Sequence, residues 1–159
     1  MLTPSDTRQI PAALPSPRPE AQKKSPSRPP LAPLILLVDD RAEDIALYGG
    51  YLMAAGYRVA TATTGGDAVA LALYLVPDLI VMDLEMPGIN GWEATRLLRS
   101  HEHTAHIPVL ALSGFHSTAM VMRAIVAGCS GFVPKPCLAE KLEVAIRSTL
   151  ESVRLKTSA

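Results

Sequence analysis

The sequence is poor in aromatic residues and in cysteine. Aromatic side chains make up 4% of the 159 residues, so the core must be built mostly from aliphatic side chains. Only Cys129 and Cys137 are present, and they lack the paired spacing of a metal site. No apolar run approaches the roughly 20 residues that span a bilayer, and the start lacks the apolar stretch of a secretory signal. We therefore expect a cytoplasmic protein with reduced thiols and no membrane association.

The sequence also lacks net charge, because 15 basic residues balance 15 acidic ones. A neutral chain has no gross attraction for nucleic acid, so we expect no direct DNA binding. The balance hides a split: residues 1–33 carry five basic and two acidic side chains, a net of +3, together with nine of the fourteen prolines. We predict a disordered, proline-rich basic leader over 1–33, one domain over 34–152, a short tail over 153–159, and no appended output domain.

From residue 34 onward, short apolar runs alternate with helical patterns. The predicted strands are residues 34–38, 57–62, 78–82, 108–112 and 131–133. The predicted helices are residues 43–55, 64–75, 92–100, 118–127 and 138–153. Apolar strands without period-two alternation are typical of a parallel sheet that is covered on both faces. We therefore predict an α/β fold, a doubly wound five-stranded parallel sheet with helices on both faces and function at the carboxyl ends of its strands.

Several chemically reactive residues follow the predicted strands. Asp39 and Asp40 follow the first strand, Asp83 the third, Ser113 the fourth and Lys135 the fifth. Taken singly, each is an ordinary turn residue. Taken together, the carboxylates would repel one another, by roughly 4 kcal/mol for a pair 4 Å apart at an effective dielectric constant of 20. The cluster therefore requires a cation, and oxygen ligands without His or Cys favour Mg²⁺ over Zn²⁺.

These residues stand in four ordered motifs, LLVDD, VMDLEMPGINGWE, PVLALSG and GFVPKP. Asp83 and Ser113 are 30 positions apart, and Ser113 and Lys135 are 22 apart. With these spacings, residues 34–152 resemble the receiver domain of two-component response regulators. The resemblance implies a flavodoxin-like sheet with strand order 2-1-3-4-5.

The resemblance also implies a role for each matching residue at the acidic edge. Asp83 would be the phosphoacceptor, taking a phosphoryl group from the phosphohistidine of a sensor histidine kinase or a phosphotransfer protein to form an aspartyl phosphate. Asp39, Asp40 and Asp83 would bind Mg²⁺ together with the backbone carbonyl of Glu85. Lys135 would pair with a phosphoryl oxygen.

Two further residues would form a switch. The Ser113 hydroxyl can donate one hydrogen bond to the added phosphoryl oxygens. Its movement would vacate space beneath Phe132 and so bias a two-state element at a surface that binds a downstream protein target.

The resemblance also implies a cis bond between Lys135 and Pro136, a form that is reasonable only before proline.

Two other functions remain open from the sequence. A phosphatase that works through an aspartyl phosphate, as haloacid-dehalogenase-like proteins do, needs a second acid two residues after a nucleophile on the first strand. Here Arg41 follows Asp39 and Asp40, which does not match. A degenerate receiver would bind its partner without phosphorylation, but all five family positions are chemically competent. We therefore expect a phosphoacceptor signalling protein rather than an enzyme that turns over a separate substrate.

Overall fold

The structure is a computed structural model that describes residues 30–159. Nearly all of the predicted leader, residues 1–33, therefore lies outside the described residues. Among residues 30–159, no helix combines the length and the apolar character needed to cross a bilayer.

Five strands and five helices alternate along this part of the chain. The strands are β1 (Leu34–Val38), β2 (Arg58–Ala62), β3 (Leu79–Asp83), β4 (Val109–Ser113) and β5 (Gly131–Pro134). The helices are α1 (Ala42–Ala54), α2 (Gly65–Leu75), α3 (Gly91–Ser100), α4 (Thr118–Ala127) and α5 (Ala139–Thr157). Each predicted element is present with ends within one residue of the prediction, apart from the end of α5.

The predicted end of the last helix at Val153 is wrong. Helix α5 continues to Thr157 and takes in most of the segment that was predicted as a tail. Its last turns are exposed, so they carry no apolar periodicity from which their length could be read. Arg154 and Lys156 lie in the last turn, where positive charge complements the helix dipole and supports the extra residues.

All five strands run parallel in one sheet, in the order β2-β1-β3-β4-β5. This confirms the predicted doubly wound sheet and its strand order. In the register, Val38 lies opposite Met82, and Asp83 lies opposite Leu112. The chain reverses its winding direction between β1 and β3, and ligands of such sheets bind outside the carboxyl ends at that point. The fold therefore predicts a ligand site at the carboxyl ends of β1 and β3.

Alternate side chains of each strand enter two separate hydrophobic cores. On one face, Leu36 and Ile80 pack in a core to which α2, α3 and α4 contribute. On the other face, Leu37 and Val81 pack in a core to which α1 and α5 contribute through residues such as Leu142. Since both faces of the sheet are buried, the central strands read as continuous apolar runs in the sequence.

Side-chain caps fix where three of the helices begin. Thr64, Asn90 and Ser117 each accept a hydrogen bond from the backbone N–H three residues later, at 3.1, 3.0 and 3.3 Å. These caps satisfy N–H groups that a helix leaves without partners in its first turn. They start α2, α3 and α4 at the same edge of the sheet at which the strands end.

The single tryptophan, Trp92 of α3, contacts a residue of α4. Trp92 is 6% exposed, and the guanidinium carbon of Arg123 lies 4.3 Å from its ring centroid. This distance is well within the range of a cation–π interaction. The indole N–H has no hydrogen-bond partner among the described residues. The ring face and the guanidinium therefore form a specific contact between the two helices.

Two adjacent glycines, Gly49 and Gly50, lie inside α1, and Gly50 provides a test of how this helix is stabilised. Gly50 is exposed, and a Cβ added there would have no atom within 4 Å. Alanine is favoured over glycine in a helix interior, so Gly50→Ala should raise the free energy of unfolding in urea by about 0.5–1 kcal/mol.

Gly65→Ala is the opposite control for this measurement. A Cβ at Gly65 would lie 2.2 Å from the carbonyl oxygen of Ile89, so this substitution should lower the stability. If Gly50→Ala were no more stable than the native chain, helix propensity would not limit the stability of α1.

Candidate functional site

Three carboxylates meet where β1 and β3 end. Asp39 directly follows β1 and is fully buried, while Asp83 is the last residue of β3 and is 4% exposed. Asp40 is exposed beside them. One oxygen from each of the three lies within 4.8 Å of the others. The structure thus brings together the three acids that the sequence singled out.

Short turns orient the two buried carboxylates. Asp39 Oδ1 accepts a hydrogen bond from the Arg41 N–H at 2.9 Å, and Asp83 Oδ1 accepts one from the Glu85 N–H at 3.1 Å. In both cases the aspartate binds the backbone two residues further on, a local turn that this residue type favours. One oxygen of each carboxylate is therefore fixed by the backbone, and the second faces other groups of the site.

Lys135, which directly follows β5, places a positive charge at this edge of the sheet. Its Nζ lies 2.5 Å from Asp39 Oδ2, 2.9 Å from Asp44 Oδ2 and 3.9 Å from Asp83 Oδ2. Burial alone would lower the pKa of Lys135, but the hydrogen bonds to Asp39 and Asp44 outweigh burial and raise the pKa. The ammonium group is therefore fully charged at neutral pH.

Asp44 is a residue of this site that the sequence analysis missed. It lies in the first turn of α1, the helix that follows the aspartate pair. The signal in the sequence is an acidic residue in the first helical turn after two strand-end acids. Such a residue is ordinarily explained by the helix dipole alone.

A cleft of about 680 Å³ opens above these groups. Asp40, Asp83, Glu85 and Lys135 contribute to its walls, and so does Gly114, which follows β4. Charged and apolar side chains line the cleft together, and its volume is ample for a phosphoryl group. The arrangement can therefore hold a small anion together with a cation beside Asp83.

Ser113 directly precedes Gly114 of the cleft, but neither Ser113 nor Phe132 is among the described residues that line it. Ser113 is 1% exposed, and its hydroxyl oxygen accepts a hydrogen bond from the Phe115 N–H at 3.2 Å. Ala111 pairs with Phe132 and Ser113 with Pro134, so Ser113 and Phe132 occupy the same face of neighbouring strands. The bond between Lys135 and Pro136 is cis, as the resemblance implies.

Asp83 is the most strongly perturbed acid of the site. Its burial raises the pKa of this carboxyl from 3.8 to about 7, with further raising by Asp39 and Asp40 and partial lowering by the Glu85 N–H and Lys135. One lysine thus does not compensate all the negative charge at this edge. A set of three converging carboxylates without His or Cys fits a hard divalent ion such as Mg²⁺.

Comparison with known proteins identifies the family. Residues 35–147 match the model of the response regulator receiver domain. The chain belongs to this family. Receiver domains are signalling domains of two-component response regulators, so the sequence-based identification is confirmed.

The match to this chain covers nearly the whole length of related receivers. The receiver is 31% identical over 116 residues to the polar-differentiation response regulator DivK of Brucella ovis, covering 73% of this chain and 94% of DivK. The chemotaxis protein CheY4 of Vibrio cholerae is 28% identical with a TM-score of 0.71, covering 74% of this chain and 98% of that one.

A third relative includes a metal. The receiver domain of a sensor histidine kinase from Pseudomonas aeruginosa PAO1 is 28% identical with a TM-score of 0.71, covering 76% of this chain and 98% of that one. Its structure has a magnesium ion coordinated in the active site cleft.

The raised pKa of Asp83 predicts a pH-dependent gain in stability for Asp83→Asn. Between pH 3.8 and about 7 the folded receiver binds more protons than the unfolded chain, so its stability falls as the pH rises through this window. Removing the charge should therefore stabilise the metal-free receiver by up to about 4 kcal/mol near pH 8, and by much less near pH 4.

Urea unfolding with a chelator present, at both pH values, measures this difference. Glu102→Gln, at an exposed turn residue, is the control and should show no pH-dependent gain. An equal gain for Asp83→Asn at both pH values would contradict the raised pKa.

Proposed function

We propose that this receiver accepts a phosphoryl group on Asp83 from the phosphohistidine of a sensor histidine kinase or a phosphotransfer protein. The bond between phosphorus and the imidazole nitrogen breaks, and a bond from phosphorus to a carboxylate oxygen of Asp83 forms. The product is an aspartyl phosphate. The observation that carries the proposal is the placement of Asp83, which is buried, lines the cleft and is oriented by the Glu85 N–H.

Asp39, Asp40 and Asp83 would hold Mg²⁺, with the backbone carbonyl of Glu85 as the further ligand that the resemblance implies. When bound, Mg²⁺ supplies positive charge that the three carboxylates lack and favours the ionised form of Asp83. The convergence of the three acids within 4.8 Å supports this ligand set. The magnesium ion of the Pseudomonas receiver supports it by similarity.

Lys135 would stabilise the phosphoryl oxygens. Phosphoryl transfer depends mainly on positioning and on neutralising charge, with little covalent assistance from the protein. An ammonium group has three N–H donors, and Asp39 and Asp44 occupy two of them in this structure. The third is available toward Asp83, 3.9 Å away, where the phosphoryl group would be added.

Ser113 and Phe132 would convert phosphorylation into a change of surface. The Ser113 hydroxyl accepts from Phe115 and can still donate its own proton to a phosphoryl oxygen. Rotation toward the phosphoryl group would draw the segment between β4 and α4 toward the site. Phe132, on the same face of β5, would move into the space released, and the altered surface would bind a downstream protein target.

We further propose that the receiver acts through protein contacts in the cytoplasm and not by binding DNA directly. The whole chain has no net charge, and residues 34–159 carry 10 basic against 13 acidic side chains. This charge supports the proposal, because nucleic-acid binding modules ordinarily carry a clear positive excess. Its membership of a signalling family supports a role without turnover of a separate substrate.

Incubation of the receiver with acetyl phosphate and Mg²⁺ tests the proposed phosphoacceptor. Intact mass should increase by one phosphoryl group in the native chain, and the increase should be lost in Asp83→Asn and when a chelator replaces Mg²⁺. Asp67→Asn is the matched control, because Asp67 is exposed on α2 and does not line the cleft. A phosphoryl adduct retained by Asp83→Asn would reject the assignment.

A further inference from the structure

Lys135 has a second carboxylate partner that the proposed phosphoryl transfer does not use. Asp44 Oδ2 lies 2.9 Å from Lys135 Nζ, while the three acids that converge as metal ligands are Asp39, Asp40 and Asp83. The side chains of Lys135 and Asp44 are 15% and 17% exposed. This ion pair is therefore shielded from water more than a surface pair, and we expect it to hold the lysine more firmly.

We propose that Asp44 is a positioning residue that keeps the Lys135 ammonium beside Asp83 while Mg²⁺ and a phosphoryl group are bound. The inference rests on the proposed function of Asp83 and names a further residue on which that function depends.

The reasoning begins with the two oxygens of Asp39, which are both engaged. Oδ1 accepts from the Arg41 N–H, and Oδ2 accepts from Lys135 Nζ. A divalent ion bound to Asp39 must therefore share or displace one of these contacts. The ion also competes electrostatically with the ammonium group for the same negative charge. Asp39 is thus a weaker anchor for Lys135 in the loaded site than in this structure.

Asp44 remains as an anchor because its carboxylate is outside the converging set of three acids. Its position in the first turn of α1 fixes its backbone, and Arg41 Nε provides a second, longer contact at 3.8 Å from Asp44 Oδ2. A lysine side chain carries about 2 kcal/mol of rotamer entropy, so one fixed N–H reduces the freedom lost when it binds an anion. Asp44 therefore prepares Lys135 for the phosphoryl oxygens.

Beryllofluoride, an unreactive analogue of the phosphoryl group, provides the test. Its dissociation constant is measured by calorimetry with Mg²⁺ present, on the full chain. Asp44→Ala should weaken binding about tenfold, which is the size expected for one hydrogen bond between charged groups. Asp44→Asn keeps an acceptor oxygen at the same place and should stay within about threefold of the native chain, a rescue that mere destabilisation would not produce.

Glu43→Ala is the matched control, since Glu43 is an exposed neighbour on α1 and forms no ion pair with any residue of the described range. It should leave the affinity unchanged. If Asp44→Ala does not fold, Asp44→Leu, of similar length and without an acceptor, replaces it.

The dependence on Lys135 is tested in a Lys135→Met background. There Asp44→Ala should cause no further loss, because the residue through which it acts is gone. The proposal is overturned if Asp44→Ala leaves the affinity unchanged, tightens it, or weakens it equally in both backgrounds. Failure of the proposed function gives a different result: the native chain would not bind beryllofluoride, or Asp83→Asn would bind it equally well.

Discussion

Repulsion between carboxylates held at one edge of the sheet is the constraint from which the chemistry of this receiver follows. Asp39 and Asp83 are close because β1 and β3 are parallel neighbours, so neither can move away without loss of the ladder between them. Burial and like charge raise the pKa of Asp83 to about 7. Lys135 relieves the excess only in part, and the site remains suited to a divalent cation and to an acceptor reaction that needs one.

The two hydrophobic cores make this unfavourable cluster tolerable. Each central strand places apolar side chains on both faces, and each unit of buried apolar area stabilises the fold. The strands then end together, so backbone register rather than side-chain flexibility sets the distances among the acids. Glu85 and Arg41 complete the arrangement by donating backbone N–H groups to the carboxylates of Asp83 and Asp39. Stability thus comes from the two faces of the sheet, and reactivity comes from the carboxyl ends of its strands.

The sequence predicts best those features that follow directly from a local pattern of residue types. Uninterrupted apolar runs predict the strands, and acids that directly follow them predict the cleft, because parallel strands end at a common edge. Asp44 escapes such reasoning, since the side of α1 that faces Lys135 depends on how the helix packs against the sheet. The hydrogen bond from the Phe115 N–H to Ser113 is likewise a property of loop geometry. The length of α5 is missed because its final turns bury nothing.

The stacking of Arg123 on Trp92 has a practical consequence. An indole responds to charge and to solvent near its ring, and this chain has no other indole to obscure the signal. Arg123 belongs to α4, whereas the ring belongs to α3. We therefore expect a displacement of one helix against the other to change the fluorescence emission of this tryptophan, so that conformational change could be followed without an added dye.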